Sequence, residues 1–277
     1  MSRFITQTKN FIAQKIGYKP RRHVVNTNLG KYKLKAIYGT IREKPDQDDA
    51  WFFKLADLYE NIVDIGANIG LTALMAKVQH PEKNILLVDP NPEALGIAAR
   101  NLFINRWEKN VSFLTALISD NRSEKMKFYA IGDGAAGSIF QGHSVTASKM
   151  DSYIEVESVL LDDVYKDLAW KPDLIKVDVE GAESMVLAGA KEMTRKAQPV
   201  FMVEMHNPPE LPMVKNAQLV LDWCKEMDYT AWYMKEAAIL ESPETIAKRG
   251  KCHLLLMPSG LEYPKQLAAI KQGAEIQ

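Results

Sequence analysis

From residue 61 onward, short apolar runs of strand length alternate with stretches of helical pattern, and several of the runs end on an acid. Asn61–Ile65 (NIVDI), Ile85–Asp89, Val111–Leu117, Leu174–Val179 and Val200–Met205 read as strands. Residues 70–79, 92–105, 182–195 and 215–228 read as helices. Parallel neighbours cannot be joined by a tight turn, so strands separated by crossover helices specify a parallel sheet covered on both faces. Residues 125–131 are a further strand, and Val156–Tyr165 leads into a short helix. Edge strands near 229–234 and 252–257 complete the body. Residues 132–152 are rich in Gly and Ser, lack a period and read as a loop. The tail after Pro258 reads as a short peripheral helix. Upstream, KYKLKAIY (31–38) alternates lysine with apolar residues and pairs with HVV (23–25) through NTNLG, while residues 3–16 form a weak amphipathic helix. The domain division that follows is a basic helix-and-hairpin extension over 1–50, an α/β body over 51–258 and a tail over 259–277.

Charge separates these parts. The 35 Lys+Arg balance the 35 Asp+Glu, yet ten of the bases precede the first acid, Glu43, which leaves an acidic body. A neutral whole disfavours a dedicated nucleic-acid binder. The basic arm suits an anionic acceptor, its phosphate-bearing carrier or a membrane surface. An RNA or protein substrate held by the arm is the alternative. Two cysteines, Cys224 and Cys252, make no disulfide framework, and a reducing compartment is the default. The chain has no apolar run of ~18 residues and no continuous signal-type core at its start. The expected location is cytoplasmic, with the inner membrane surface as the place where the arm would dock.

The first strand runs through Asp64 into Gly66-Ala67-Asn68-Ile69-Gly70 and straight into a helix. A glycine turn at the carboxyl end of the first strand is where a doubly wound sheet binds nucleotide-like ligands. The dinucleotide fingerprint G-x-G-x-x-G fails, because Asn68 and Leu71 stand at its second and third glycine positions. The acid before the turn would repel a pyrophosphate and favour a cation. S-adenosylmethionine carries an ammonium and a sulfonium and no phosphate, so the pattern favours it over NAD. Asp89, at the tip of the second strand, can accept both ribose hydroxyls.

A second constellation follows in LIKVDVEGAE (174–183) and PVFMVEMH (199–206). Asp178 and Glu180 share a face if their strand persists that far. Neighbouring parallel strands would bring Asp178, Glu180, Glu204 and His206 into one pocket on the side of the glycine turn. Three readings stand open. The cluster binds and deprotonates a hydroxyl acceptor, with His206 as the base and Asp178 behind it. Alternatively Asp178, Glu204 and His206 ligate a divalent metal that acidifies the acceptor; a set of two carboxylates and one imidazole suits Mg²⁺ or Mn²⁺. In the third reading Glu180 and Glu183 are only acids at a helix N-terminus and His206 a satisfied strand end. Ser138 and His143, in the glycine-rich loop, are candidate polar contacts of a mobile cover.

These blocks resemble the FkbM family of S-adenosylmethionine-dependent methyltransferases. The resemblance is carried by VDIGANIG (63–70), DPNP (89–92), FLTALISD (113–120), LIKVDVEGAE (174–183) with LAGA (187–190), and PVFMVEMH (199–206). It implies the class I methyltransferase fold, a Rossmann-like, doubly wound, mostly parallel seven-stranded α/β sheet with its fourth and fifth strands adjacent. It implies O-methylation of a small-molecule or glycan hydroxyl, on a sugar or a secondary metabolite. Carried onto this chain, Asp64, Gly66, Ala67, Asn68 and Gly70 would hold the methionine end and Asp89 the ribose. Ala116 and Leu117 would flank the adenine, and Asp178 and Glu180 would sit beside the methyl group. Asp89 departs from the Glu common at that position. A module that binds the cofactor without catalysis is a further alternative.

Overall fold

The computed structural model describes residues 23–42, 47–131, 137–142, 144–271 and 273–276. The expected helix at 3–16, the basic residues before 23 and His143 lie outside the described residues. A hairpin of β1 (Val24–Leu29) and β2 (Tyr32–Ile37) leads into α1 (Gln47–Leu58). The first half of the body is β3 (Asn61–Ile65), α2 (Leu71–Gln79), β4 (Asn84–Val88), α3 (Pro92–Asn105) and β5 (Val111–Leu114). A side module follows, made of β6 (Leu117–Ile118), β7 (Ser123–Tyr129), α4 (Val145–Lys149) and β8 (Tyr153–Val159), then α5 (Leu161–Asp167). The second half comprises β9 (Leu174–Val177), α6 (Glu183–Ala188), α7 (Lys191–Ala197), β10 (Val200–Met205) and α8 (Met213–Met227). It closes with β11 (Tyr229–Tyr233), β12 (Ala238–Ile239), α9 (Pro243–Arg249), β13 (Cys252–Pro258) and α10 (Lys265–Ala268).

The main sheet has the order β12-β11-β13-β10-β9-β3-β4-β5. Strands β5, β4, β3, β9 and β10 run parallel, and β13 runs antiparallel to both β10 and β11. This is the expected doubly wound, mostly parallel α/β sheet, with eight strands counting the two-residue β12. The order reverses between β3 and β9, so a crevice opens outside their carboxyl ends. The central strands β3, β4, β9 and β10 are buried along both sides and mostly apolar because both sides are covered. Val63, Ile65, Ile175, Val177, Phe201 and Val203 pack with α6, α7 and α8. Ile62, Ile85, Leu87, Leu174 and Met202 pack with α1, α2 and the hairpin. Alternation then assigns Asp64, Lys176, Glu204 and His253 to the second face.

Several sequence expectations are corrected. The expected strand 111–117 ends at Leu114, because Leu117 and Ile118 leave the main sheet to pair with Ser158 and Val159. Strand 123–129 belongs to this separate three-stranded sheet. The single helix expected over 182–195 is two. Gly189 lies so close to the carbonyl of Ser119 that a Cβ there would overlap it. Asp162 then caps the second helix by accepting the N–H groups of Glu192 and Met193 at 3.0 and 2.7 Å. The loop over 132–152 contains α4. Helices α1 and α9 have no counterpart in the sequence reading, and α1 crosses the boundary drawn at 50/51. The hairpin packs on the body. Asn101 and Asn105 of α3 accept the Ile37 and Lys35 N–H groups at 2.8 and 2.9 Å. Leu34 of β2 and Leu267 of the tail bury in the same core as α1. Among the described residues, no helix is long and apolar enough to cross a membrane.

Candidate functional site

The glycine turn sits at the reversal point, and its geometry explains its residues. Gly66 has φ +86°, and a Cβ there would overlap the carbonyl oxygen of Asp178. Only glycine lets β3 and β9 approach so closely at their tips. The Gly66 and Ala67 N–H groups donate to the Val88 carbonyl at 2.9 and 3.1 Å. Asn68 takes φ +48° and donates its N–H to Asp89 Oδ2 at 2.8 Å. Gly70, at φ +79°, opens α2, and a Cβ there would come within 2.6 Å of Ala98 on α3. Asp89 Oδ1 accepts the Asn91 N–H at 2.8 Å. Burial pushes the Asp89 carboxyl up to about 6, against the pull of these two donors. Ala116 is buried just past the end of β5, and Leu117 starts β6 rather than ending a main-sheet strand.

Asp64 is paired in register with Lys176 across β3 and β9, a relation that sequence spacing does not reveal. The Thr72 hydroxyl donates to Asp64 Oδ2, while Oδ1 lies 3.8 Å from Lys176 Nζ and has no hydrogen-bond partner. Burial holds this carboxyl above the usual range. Lys176 Nζ also donates to Asp178 Oδ2 at 3.0 Å. Burial alone would lower the lysine's pKa, but the carboxylates of Asp178, Asp64 and Glu204 raise it instead. Lys176 therefore stays charged between two acids. Burial pushes Asp178 up to about 6, with Lys176 opposing.

The second constellation assembles, by a different route from the one expected. Strand β9 ends at Val177, and Glu180 and Gly181 take φ +56° and +116°, so a tight turn and not strand alternation carries Glu180 to the pocket. His206, 2% exposed, stands at its centre. Its Nε2 lies 3.3 Å from Glu180 Oε2, 3.6 Å from Glu204 Oε1 and 4.0 Å from Asp178 Oδ1. Its Nδ1 meets Glu183 Oε1 at 2.8 Å. Glu183 is fully buried; Oε1 also accepts the Gly181 N–H at 2.9 Å, and Oε2 accepts Asn216 Nδ2 at 2.8 Å. The reading of Glu183 as a plain helix-start acid is therefore incomplete, because it also orients the imidazole. Burial alone would lower the His206 pKa, but Glu183 and the carboxylates of Glu180 and Asp178 push it up to about 9.

Ser138 does not offer its hydroxyl to the pocket. It donates to the Glu180 carbonyl at 2.9 Å and accepts the Phe140 N–H at 3.1 Å, which pins the loop onto the Glu180 turn. The Gly142 N–H donates to Glu210 at 2.7 Å, a second anchor.

Asp178, Glu204 and His206 place ligand atoms within 4.8 Å of one another. They do not fit a divalent cation as they stand. Glu204 Oε1, the oxygen facing His206, is already paired with Lys251, so one of the three ligand atoms is taken. Burial would raise the Glu204 pKa, yet His253, His206 and Lys251 hold it well below the carboxylate range. Lys176 and Lys251 are residues that the sequence reading missed, and Glu183 is one that it weighed only as a helix-start acid. A lysine in the middle of an otherwise apolar strand was the available signal for Lys176.

Residues 64–231 match the model of the methyltransferase FkbM domain. Over half of its length the chain is 34% identical to methyltransferase sdnD of Sordaria araneosa and 32% identical to 2-O-methyltransferase NoeI of Sinorhizobium fredii. It covers 64% and 61% of those proteins, less than two thirds of either. It is also similar to a crystal structure of methyltransferase FkbM from Methylobacillus flagellatus, at 16% identity and a TM-score of 0.45. That similarity covers 72% of this chain and 43% of the other. The matched region begins at the acid of β3, takes in the glycine turn, Asp89 and the His206 cluster, and ends in β11, so the chain belongs to the FkbM methyltransferase-domain family.

Proposed function

We propose that the chain is an S-adenosylmethionine-dependent O-methyltransferase acting on a hydroxyl of a small molecule, a sugar or a secondary metabolite. The observation that carries the reading is a carboxylate-flanked histidine that Asp178 links to a glycine turn of cofactor-binding type. The turn fits the cofactor. Asp64 Oδ1 and Asn68 Oδ1 are buried acceptors without hydrogen-bond partners, suited to an ammonium group. Asp64, Gly66, Ala67, Asn68 and Gly70 would hold the methionine end, Asp89 the ribose hydroxyls, and Ala116 and Leu117 the adenine. When bound, the cofactor supplies an electrophilic methyl group on a sulfonium leaving group. The protein's tasks are then to align the acceptor oxygen and to take its proton.

His206 Nε2 is the proton acceptor in this reading, with Glu183 fixing the ring through Nδ1. Asp178, whose backbone meets Ile65 and Gly66, lies on the side toward the glycine turn, and a cation bound beside it would offset part of the field that raises the His206 pKa. Glu204 backs the imidazole. Oxygen as the acceptor atom is supported by the relative whose name states 2-O-methyl transfer. The test is His206→Ala, with turnover measured on a panel of hydroxyl acceptors and cofactor affinity measured by calorimetry. Turnover should fall by about 10²–10⁴-fold while affinity holds. If cofactor affinity falls in parallel, the ring is structural and the assignment fails.

A further inference from the structure

We propose that Asp48, Glu204 and His253 form a binding site for a zinc-like divalent cation, which shares Glu204 with the His206 cluster but does not depend on the methyl-transfer reading. Glu204 and His253 are register partners across β10 and β13, so their side chains stand opposite one another on the face covered by α1. Asp48, in the first turn of α1, closes the group from above. His253 Nε2 lies 3.5 Å from Glu204 Oε2 and 3.9 Å from Asp48 Oδ2. One ligand atom from each residue falls within 4.8 Å of the others. The residues are 8%, 6% and 3% exposed, and Trp51, one turn after Asp48, packs on the imidazole with ring centroids 5.7 Å apart.

Two features separate this group from an ordinary buried ion-pair cluster. Neither ring nitrogen of His253 has a hydrogen-bond partner, although the ring is buried and Nε2 is aimed between two carboxylates. Buried polar atoms are seldom left so. The neighbouring cations also sit on the other oxygens. Arg42 meets Asp48 Oδ1 at 3.4 Å and Lys251 meets Glu204 Oε1, so Oδ2 and Oε2 are the pair turned toward His253. Metal–ligand bonds of ~2.1 Å in a tetrahedron set ligands about 3.4 Å apart. Two carboxylates and one imidazole also take Mg²⁺ or Mn²⁺ by donor type alone; the close spacing and the buried setting favour zinc here, because magnesium keeps several of its waters. A cation there would tie the start of α1 to β10 and β13 and fix Glu204, whose other oxygen faces His206.

The test uses the full chain, stripped with a chelator and titrated with Co²⁺ by visible absorption and with Zn²⁺ by calorimetry. One Co²⁺ per chain should bind with the visible bands of a low-coordinate site, and Zn²⁺ should displace it. His253→Gln and Asp48→Asn should each weaken binding by more than about tenfold, while His206→Gln and Asp178→Asn leave it unchanged. Melting of each metal-free variant controls for folding; if His253→Gln does not fold, Asp48→Asn decides. Absence of Co²⁺ binding by the stripped chain overturns the proposal. So does binding that survives both His253→Gln and Asp48→Asn, or that is lost in His206→Gln, which would move the cation to the other cluster.

Discussion

Asp89 Oδ2 accepts the backbone N–H of Asn68 at 2.8 Å, so the acid at the tip of β4 fastens the glycine turn that follows β3. Its other oxygen holds Asn91, the N-cap of α3, whose side chain accepts from Glu93 and Ala94. The residue expected to bind the ribose therefore also shapes the turn expected to bind the methionine end. Asp89→Asn keeps one acceptor and turns an amide donor toward a backbone N–H. It should cost about 1–3 kcal/mol of stability as well as cofactor affinity, both read by calorimetry. With the carboxyl pushed up to about 6, wild-type affinity should hold at pH 7 and fall as the pH drops through 6, when the acceptor takes up a proton.

Gly66→Ala tests the contact between the two halves of the sheet. The substitution drives a methyl into the Asp178 carbonyl at a φ of +86°, and no flexible side chain is there to give way. Strain of about 1–3 kcal/mol from the backbone alone adds to displacement of Asp178. A lowered melting temperature together with lost cofactor binding is expected. An unchanged melting temperature would mean that the turn relaxes freely.

The main lines of this arrangement were legible in the sequence. Runs such as NIVDI and LIKV are mostly apolar because both sheet faces are covered, and the glycine turn and DPNP mark the carboxyl edge. What stayed hidden has physical reasons. Helix α1 is buried on several sides, so Ala50, Trp51, Phe52, Phe53, Leu55 and Ala56 carry no single-face period. Glu183 occupies a position where an acid normally faces solvent and favours the helix dipole. Its partnership with His206 arises only when α6 docks on the end of β10. The pairs Asp64–Lys176 and Glu204–His253 are set by strand order and register, which local pattern does not encode.

The His206–Glu183 contact makes stability depend on pH in a stated direction. The folded ring titrates at about 9 and an unfolded histidine near 6.5, so in this interval the fold keeps a proton that the unfolded chain has released. The stabilisation is full below about pH 6.5 and is lost as the pH rises through 9, amounting to at most about 3 kcal/mol. Denaturant unfolding between these pH values should show the decline in the wild type and not in His206→Gln. Glu183→Gln should lower the ring's titration, followed by the imidazole C–H resonances.

Lys176 supplies the sharpest test of the pocket's charge. Its ammonium is buried between Asp178 and Asp64, at 3.0 and 3.8 Å. Lys176→Met fits the apolar strand by volume but strips the cation from buried Asp64 and partly buried Asp178. The expected cost is about 3–5 kcal/mol, the range for breaking a buried pair from one side. If the loss is electrostatic, Asp178→Asn in the same chain should recover part of it, because one of the stranded charges is gone. If it is a packing loss, the double variant should be no better than Lys176→Met alone. A cationic cofactor would also stand in for the missing ammonium. The rise in melting temperature on adding S-adenosylmethionine should therefore be larger in Lys176→Met than in the wild type, and a smaller rise would place the cofactor's charge away from Asp64 and Asp178.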